Sequence, residues 1–250
     1  MLSFITKIWY NSGNLKLWRE TLHYTDEQLA EKIQKLPKYT VREEKLNVIT
    51  HFIGMIIGII GLIIMFSLAV VRTSRDYTNF VDIISSLVFG GSMVALYTMS
   101  TIYHNEKNLK KRVFRQKFDH LSINILIADS ASSFMISGLK NNIGYILISC
   151  IWALSIISMV LNWINVKKFR AVTMVIYILT GWAPIFVVNY VISLCGIGCF
   201  AIVLAGGLCY TFGLIFYAIK KEFMHSIWHI FVLMGSILHI VGACVYVYMI

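Results

Sequence analysis

From Leu46 onward, the chain alternates between long apolar runs and short polar segments. A helix rises 1.5 Å per residue, so about 20 apolar residues are enough to cross the hydrocarbon core of a bilayer. Hydropathy and periodicity predict seven such spans, and their short connections suit antiparallel neighbours. The spans cover residues 46–71, 81–103, 121–139, 143–163, 171–192, 196–218 and 223–250. We therefore predict an all-α polytopic membrane protein, a seven-transmembrane helix bundle.

Composition agrees with this fold class. Of the 250 residues, 58% are hydrophobic and only 14% are charged, whereas about a quarter of a soluble domain is charged. The five cysteines lie in or beside apolar runs and include no CxxC pair, which argues against both a disulfide framework and a thiolate zinc site. We interpret them as small core residues.

Basic residues give the predicted bundle an orientation, because cytoplasmic loops collect Lys and Arg. The side that holds the N-terminal segment and the loops after the second, fourth and sixth spans carries 19 of the 22 Lys and Arg. We therefore predict a cytoplasmic N-terminus and an extracytoplasmic C-terminus. This asymmetry accounts for the net charge of +10, so no nucleic-acid partner is expected, and anionic lipids are a natural contact for the basic face.

Residues 1–45 form the predicted cytoplasmic segment, and residues 46–250 form the bundle. Charges interrupt the first segment repeatedly, so we expect no cleavable signal peptide. Thr25 and Gln28 have the spacing of a capping box, and apolar residues then recur on one helical face until Pro37. Two interpretations remain: an amphipathic helix that lies against the bilayer or the bundle, or a docking site for a partner.

The predicted topology brings several histidines to the cytoplasmic face. His104 ends the second span, and His225 and His229 begin the seventh. Residues i and i+4 of a helix share a face about 6 Å apart, so His225 and His229 can reach one metal ion. Three histidines from two helices match the ligand set of a catalytic zinc, which keeps a fourth position open for water. The pattern thus predicts a metal site.

Asp119 has the same predicted depth, at the start of the third span. A carboxylate there could hold and deprotonate water that zinc has made more acidic. Alternatively, the histidines simply occupy the polar boundary of the membrane, as Trp and Tyr residues do. We favour the metal site, because ionisable groups at membrane depth usually have a function.

A further polar group begins the first span. Glu43 and Glu44 lie where the helix dipole favours negative charge, and Asn47 and His51 follow one turn apart on one face. These residues would support the metal ligands from a surrounding layer. The alternative is a well-capped interfacial helix with no link to a metal.

In this order and on these spans, the polar residues resemble the signature of the hemolysin III branch of the progestin and adiponectin receptor family. The resemblance runs from Glu43 to Tyr248 and so covers nearly the whole bundle. The matching elements are Glu43-Glu44-x-x-Asn47-x-x-Thr50-His51, Ser100-x-x-x-His104, Asp119-His120, and His225-x-x-x-His229 with His239.

The resemblance implies zinc held by His104, His225 and His229 in a seven-helix bundle with an intracellular N-terminus. It also implies that Asp119 holds the metal-bound water and that Ser100 lies near the site. The family includes adiponectin receptors with ceramidase-like activity. Its bacterial members are named hemolysin III because a pore-forming activity was ascribed to them. By resemblance, the compact length and the absence of a long extracellular region suggest a bacterial plasma membrane for the present chain.

One stretch of the third span departs from the family pattern. Asp129 occupies a position that the family fills with glycine, and Ser133 occupies that of a proline. Asp129 must face the bundle interior or a water-filled cavity, because a carboxylate buried at mid-membrane otherwise costs about 3 kcal/mol or more. Ser132, His239 or a tyrosine hydroxyl could be its partner. His239 lies about 15 Å beyond His229 along the helix, so we expect it to form a structural hydrogen bond, with proton relay as the alternative.

Two functions remain open from sequence alone. As an enzyme, the chain would use zinc to activate water and hydrolyse an amide or ester bond in a lipid that enters sideways from the bilayer. As a receptor, channel or cytolytic pore, it would hold a structural zinc that ties the second and seventh spans together. We favour the zinc-dependent hydrolase, since Asp119 is a candidate base.

Overall fold

The computed structural model describes residues 24–76, 80–139 and 142–249, and the chain divides after Pro37 into two compact units. The first unit contains helix α1 (Asp26–Gln34). The Gln28 backbone N–H donates to Thr25 Oγ1, and the Thr25 backbone N–H donates to the Gln28 side chain. The predicted capping box is therefore confirmed, and the helix ends before Pro37.

The second unit is helical, and no strand occurs within the residues that the structure describes. A 3₁₀ turn, Ala183–Val187, joins α5 to α6, and π-helical turns extend α4 through Phe134–Leu139 and α7 through Cys244–Tyr248. The helices are α2 (Val41–Arg75), α3 (Phe80–His104), α4 (Leu109–Ser133), α5 (Asn142–Trp182), α6 (Val188–Ala218) and α7 (Met224–Ala243).

Two of these helices are broken by a residue outside the helical conformation. Asn165 (φ −163°, ψ 97°) interrupts α5, so the two halves of α5 correspond to the fourth and fifth predicted spans. Gly196 has φ 80° within α6, a conformation that glycine adopts without steric cost. The sixth span was predicted to begin at this residue.

Within the described residues, five helical segments are long and apolar enough to cross a membrane, and the chain is an all-α, multi-pass membrane protein. One of the five has 52 residues and contains the break at Asn165, while α4 is too polar to be among them. Seven crossings therefore stay a prediction. The five segments are Val41–Arg75, Phe80–His104, Asn142–Ser193, Cys195–Ala218 and Met224–Tyr248.

Helix α4 begins at Leu109 rather than at residue 121, where the third span was predicted to start. Asn108 caps it by accepting hydrogen bonds from the backbone N–H groups of Lys110 and Lys111. Hydropathy detects only the apolar part of a helix, whereas Lys, Arg and Gln are also good helix formers. The predicted basic loop is thus largely the first part of a helix.

Small residues let the helices that carry the histidines approach closely. A Cβ atom on Gly54 of α2 would lie 2.5 Å from Tyr97 Cδ1, and one on Gly90 of α3 would lie 2.6 Å from Leu62 Cδ1. Such close backbone contact is how membrane helices gain packing energy. The Tyr97 hydroxyl donates to Ser236 Oγ over 2.8 Å, so α7 joins the same contact.

Glu43 fixes the start of α7 to the start of α2. Its Oε1 accepts from the Phe223 backbone N–H and its Oε2 from the Thr40 backbone N–H, each over 2.8 Å. Phe223 has φ 64°, an uncommon conformation for a residue with a side chain, and the Glu43 bond holds it. The turn just before His225 is thereby placed against α2.

With the N-terminus in the cytoplasm, as predicted, seven crossings place the C-terminus outside the cytoplasm. An even number of crossings would place it in the cytoplasm. Alkaline phosphatase, which is active only outside the cytoplasm, should therefore be active when fused to the C-terminus. Chains truncated after Lys107, between α3 and α4, and fused to the same enzyme are the control and should be inactive. Inactive enzyme on a stably inserted full-length chain would contradict the count of seven.

Candidate metal centre

Four histidines from α2, α3 and α7 meet inside the bundle: His51, His104, His225 and His229, which form the histidine cluster. Ligand atoms of His51, His104 and His229 lie within 4.8 Å of one another, and all three residues are buried. His225 Nε2 lies 3.4 Å from His104 Nε2. Two nitrogens bound to one tetrahedral zinc are about 3.3 Å apart, given Zn–N bonds of about 2.0 Å. The cluster therefore has the spacing of a metal site.

Polar neighbours hold the Nδ1 side of two of these rings. His104 Nδ1 lies 2.7 Å from Glu44 Oε2 and 3.4 Å from Asn47 Nδ2. His229 Nδ1 lies 3.4 Å from Thr50 Oγ1. A histidine that binds a metal usually donates its other ring N–H to a carboxylate or a similar group. The arrangement leaves Nε2 of both rings free to face an ion.

Several nitrogen atoms of the cluster are buried and have no hydrogen-bond partner: His229 Nε2 and both ring nitrogens of His51. Each buried polar atom left unsatisfied costs about 1–3 kcal/mol. A divalent ion would satisfy nitrogens of this kind, and imidazole is a common zinc ligand. The residues present therefore fit the metal that the sequence pattern implies.

Tyr39 and Arg112 cover the cluster where α2 and α4 begin. The Tyr39 ring stacks on His225 with 4.8 Å between ring centroids, and Arg112 pairs with Glu44. Burial raises the pKa of the Tyr39 hydroxyl and lowers the pKa of the Arg112 guanidinium. Sequence reasoning missed both residues, because only the tertiary fold brings a tyrosine before α2 and an arginine of α4 to the histidines.

A cavity of about 170 Å³ borders the cluster. His51, Ser100 and Asp119 line its polar part, and most of the remaining wall is apolar. Ile178 and Ile185 also line it, and each is 41% exposed. The wall of the cavity is therefore continuous with the apolar outer surface of the bundle.

The candidate catalytic residues Asp119 and Ser100 are buried and share this cavity with His51. Asp119 Oδ2 lies 3.3 Å from His120 Nδ1. The same nitrogen lies 2.9 Å from the Gln116 carbonyl oxygen, so backbone and carboxylate together orient the His120 ring. The structure thus brings a carboxylate and a hydroxyl to the polar end of the cavity.

His239 and Asp129 lie apart from the cluster. His239 Nε2 is 3.3 Å from a backbone carbonyl oxygen of α6, which agrees with the expected structural hydrogen bond. Asp129 is buried, and its carboxyl group contacts the hydroxyl of Ser92 rather than Ser132 or His239. Ser132 donates instead to the carbonyl oxygen of Ala128 over 2.7 Å.

Residues 39–240 match the family described as Haemolysin-III related. A hemolysin-3 homolog of Bacillus subtilis (strain 168) is 36% identical over 79% of this chain and 91% of its own length. Hemolysin-3 of Bacillus cereus is 34% identical over 83% of this chain and 93% of its own length. The monocyte to macrophage differentiation factor of Homo sapiens is 25% identical over 84% of this chain and 87% of its own length.

The matched range contains the whole histidine cluster, together with Ser100 and Asp119. Both Bacillus relatives are more than 30% identical to this chain, in agreement with the bacterial membrane expected from sequence. The five apolar helical segments of the described residues and these matches indicate the same class of protein. The chain is a multi-pass membrane protein that belongs to the haemolysin-III related family.

Proposed function

We propose that this protein is a zinc-dependent hydrolase that cleaves an amide or ester bond of a membrane lipid, as a ceramidase does. The observation that carries the proposal is a buried histidine cluster, with unpartnered ring nitrogens, beside a largely apolar cavity that also holds Asp119. The apolar wall suits an acyl chain. Exposure of Ile178 and Ile185 supports entry from the bilayer.

The proposed zinc ligands are the Nε2 atoms of His104, His225 and His229. His104 and His225 have the required separation, and Glu44 and Thr50 support His104 and His229. Zinc bound there would supply a Lewis acid that polarises a carbonyl group and makes water more acidic. His51 remains beside the ligands and lines the cavity, on the side from which substrate would approach.

Asp119 acts in the proposal as general base and then as general acid. Its carboxylate accepts a proton from the water that attacks the carbonyl carbon of the lipid. It returns that proton to the nitrogen or oxygen atom that leaves, when the C–N or C–O bond breaks. The products are a fatty acid and an amine or alcohol. His120 holds the carboxylate in place, and Ser100 offers a hydrogen bond to a substrate oxygen.

One observation favours a second function: His51 brings a fourth imidazole to the cluster, and both of its nitrogens are unpartnered. Four protein ligands would close the site, as in structural zinc centres, whereas catalytic zinc keeps a position open. The protein would then be a non-enzymatic membrane receptor, channel or cytolytic protein, in line with relatives named hemolysin-3. The number of imidazoles on the metal separates the two functions.

Asp119→Asn should lower hydrolysis about 10²–10⁴-fold, the usual contribution of a general base. The measurement is fatty acid released from short-chain ceramide by purified protein, with metal content determined in the same sample. Zinc content should not change, since the substitution removes the base and leaves the histidines in place.

Asp129→Asn is the matched control, because it neutralises another buried carboxyl group that lies away from the cluster. This variant should keep both its zinc and its activity. Equal turnover by wild type and Asp119→Asn would overturn the mechanism. Bound zinc without turnover of ceramide or of a long-chain ester would favour the structural alternative.

A substitution at Gly207 tests whether lipid occupies the cavity. Gly207 lines the cavity, and a Cβ atom built on it meets no atom within 4 Å. Gly207→Leu should therefore block the acyl chain and raise KM at least several-fold without loss of zinc. Gly91→Leu is the control, because Gly91 of α3 also has open space around it but does not line the cavity. Unchanged kinetics in Gly207→Leu would mean that substrate binds elsewhere.

A further inference from the structure

Asp129 places a carboxyl group deep inside the bundle, ten residues along α4 from Asp119 and so about 15 Å from it along the axis. The residue is 2% exposed, and its Oδ1 has no hydrogen-bond partner. The ion pairs of the described residues include none with Asp129. An ionisable group at membrane depth without a counter-ion indicates a function rather than a stabilising pair.

The carboxyl group contacts the Ser92 hydroxyl of α3, which already donates its hydrogen to the Phe89 carbonyl oxygen over 2.8 Å. A hydroxyl has one hydrogen to donate, so Ser92 cannot donate to Asp129 while it keeps that bond. A carboxyl group that is buried without a cation is more stable in its neutral form. We therefore expect Asp129 to carry a proton in the folded bundle.

Hydroxyl groups continue from Asp129 toward the outer end of the bundle. Ser133 lies one turn further along α4 and donates to the Ser85 carbonyl oxygen over 3.3 Å. The Ser85 hydroxyl lies 2.9 Å from the Tyr248 hydroxyl, and either oxygen can be the donor. Reversal of the Ser85–Tyr248 bond lets this pair pass a proton while both hydroxyls stay neutral. For the proton to continue toward Asp129, the Ser133 hydroxyl must turn from the Ser85 carbonyl oxygen to the Ser85 hydroxyl.

The outer end of this row is polar. Asp82 lies one turn from Ser85 on α3 and accepts from Arg72 Nη1 over 2.8 Å. Arg72 also donates to the Val247 carbonyl oxygen over 2.6 Å, and its side chain is 22% exposed. The ion pair thus connects the buried hydroxyls with the surface where α2 ends and α3 begins.

Asp129 does not itself line the cavity, but Ser130, its neighbour in the chain, does, and so do Ser100 and Asp119 at the other end. A cavity of about 170 Å³ has room for several water molecules, each of which needs about 15 Å³ when polar partners are present. Water in the cavity would connect the region of Asp129 with the cytoplasmic half of the bundle.

We propose a second function for this protein: protons cross the membrane along the seam between α3 and α4, with Asp129 as the group that binds them midway. In each cycle the Asp129 carboxyl group releases its proton to water in the cavity. It then takes another proton from the hydroxyl row on its outer side. One proton moves inward down its electrochemical gradient, and no other reactant is consumed. The route uses neither the metal nor the hydrolysis of lipid, although it shares the cavity with the proposed substrate.

The test is proton flux into liposomes that contain the purified protein and a pH-sensitive dye. A potassium diffusion potential set with valinomycin, negative inside, provides the driving force. Wild type should acidify the lumen faster than protein-free liposomes do, and Asp129→Asn should return the rate to that background. Tyr248→Phe should slow the flux several-fold, because it removes one hydroxyl of the row and keeps the ring.

Ser67→Ala is the matched control and should conduct as wild type does, because it removes an exposed hydroxyl group of α2 that is not part of the row. Asp129→Asn should lose the flux while it still hydrolyses lipid, so the two proposed functions fail separately. Asp129→Glu should restore part of the flux that Asp129→Asn loses. Flux equal to background in wild type, or equal in wild type and Asp129→Asn, would overturn the proposal. Circular dichroism establishes that each variant is folded, and a folded Asp129→Glu chain that recovers no flux would also overturn the proposal.

Protonation of Asp129 can be measured directly. Dicyclohexylcarbodiimide enters the bilayer and adds to a protonated carboxyl group; the carboxyl proton moves to nitrogen, and acyl transfer gives a stable N-acylurea. Mass spectrometry at neutral pH should find this adduct on Asp129 in wild type and not in the Asp129→Asn chain. An unlabelled Asp129 in protein that labels at other carboxyl groups would contradict a neutral carboxyl.

Discussion

The structure depends on the close approach of α2, α3 and α7 at the end where their histidines lie. Glycines of α2 and α3 allow that approach, and Glu43 joins the first turns of α2 and α7 through two backbone N–H groups. Four imidazoles with several unpartnered nitrogens would be costly to bury together. A bound metal ion would coordinate these nitrogens, and its bonds would link the three helices.

Polar chemistry inside the bundle is divided between two places. The histidine cluster lies beside the cavity, and His51, Ser100 and Asp119 line the end where we propose that a lipid carbonyl group is hydrolysed. Asp129 and the hydroxyls of the α3–α4 seam occupy the other half. Both depend on the same physical condition, because a charged or polar group within a membrane must find a partner inside the protein or in enclosed water.

Much of this architecture could be predicted from sequence. Long apolar runs identify the membrane class, and the spacing of His225 and His229 places both on one face of α7. The convergence of His51 with His104 and His229 could not be deduced from spacing alone, because it depends on the crossing of α2 with two other helices. Hydropathy also missed the first part of α4, whose side chains are polar although the backbone is helical.

The row of hydroxyl groups between α3 and α4 could not be predicted from the sequence for a similar reason. Each span, considered alone, holds only a few serines, and they form a row only when α3 and α4 pack side by side. Asp129 was conspicuous as a carboxylate within an apolar span, yet its partner Ser92 lies on another helix. A pattern along one helix cannot reveal contacts that two helices make together.

The central claim is that three imidazoles of the histidine cluster bind zinc and leave a position open. Zinc K-edge X-ray absorption on the purified protein measures the number and type of ligands directly. We expect about one zinc per chain, with three imidazole nitrogens at about 2.0 Å and one oxygen ligand, and the same spectrum in His51→Ala. Absence of metal, or a fourth imidazole that disappears in His51→Ala, would contradict the claim.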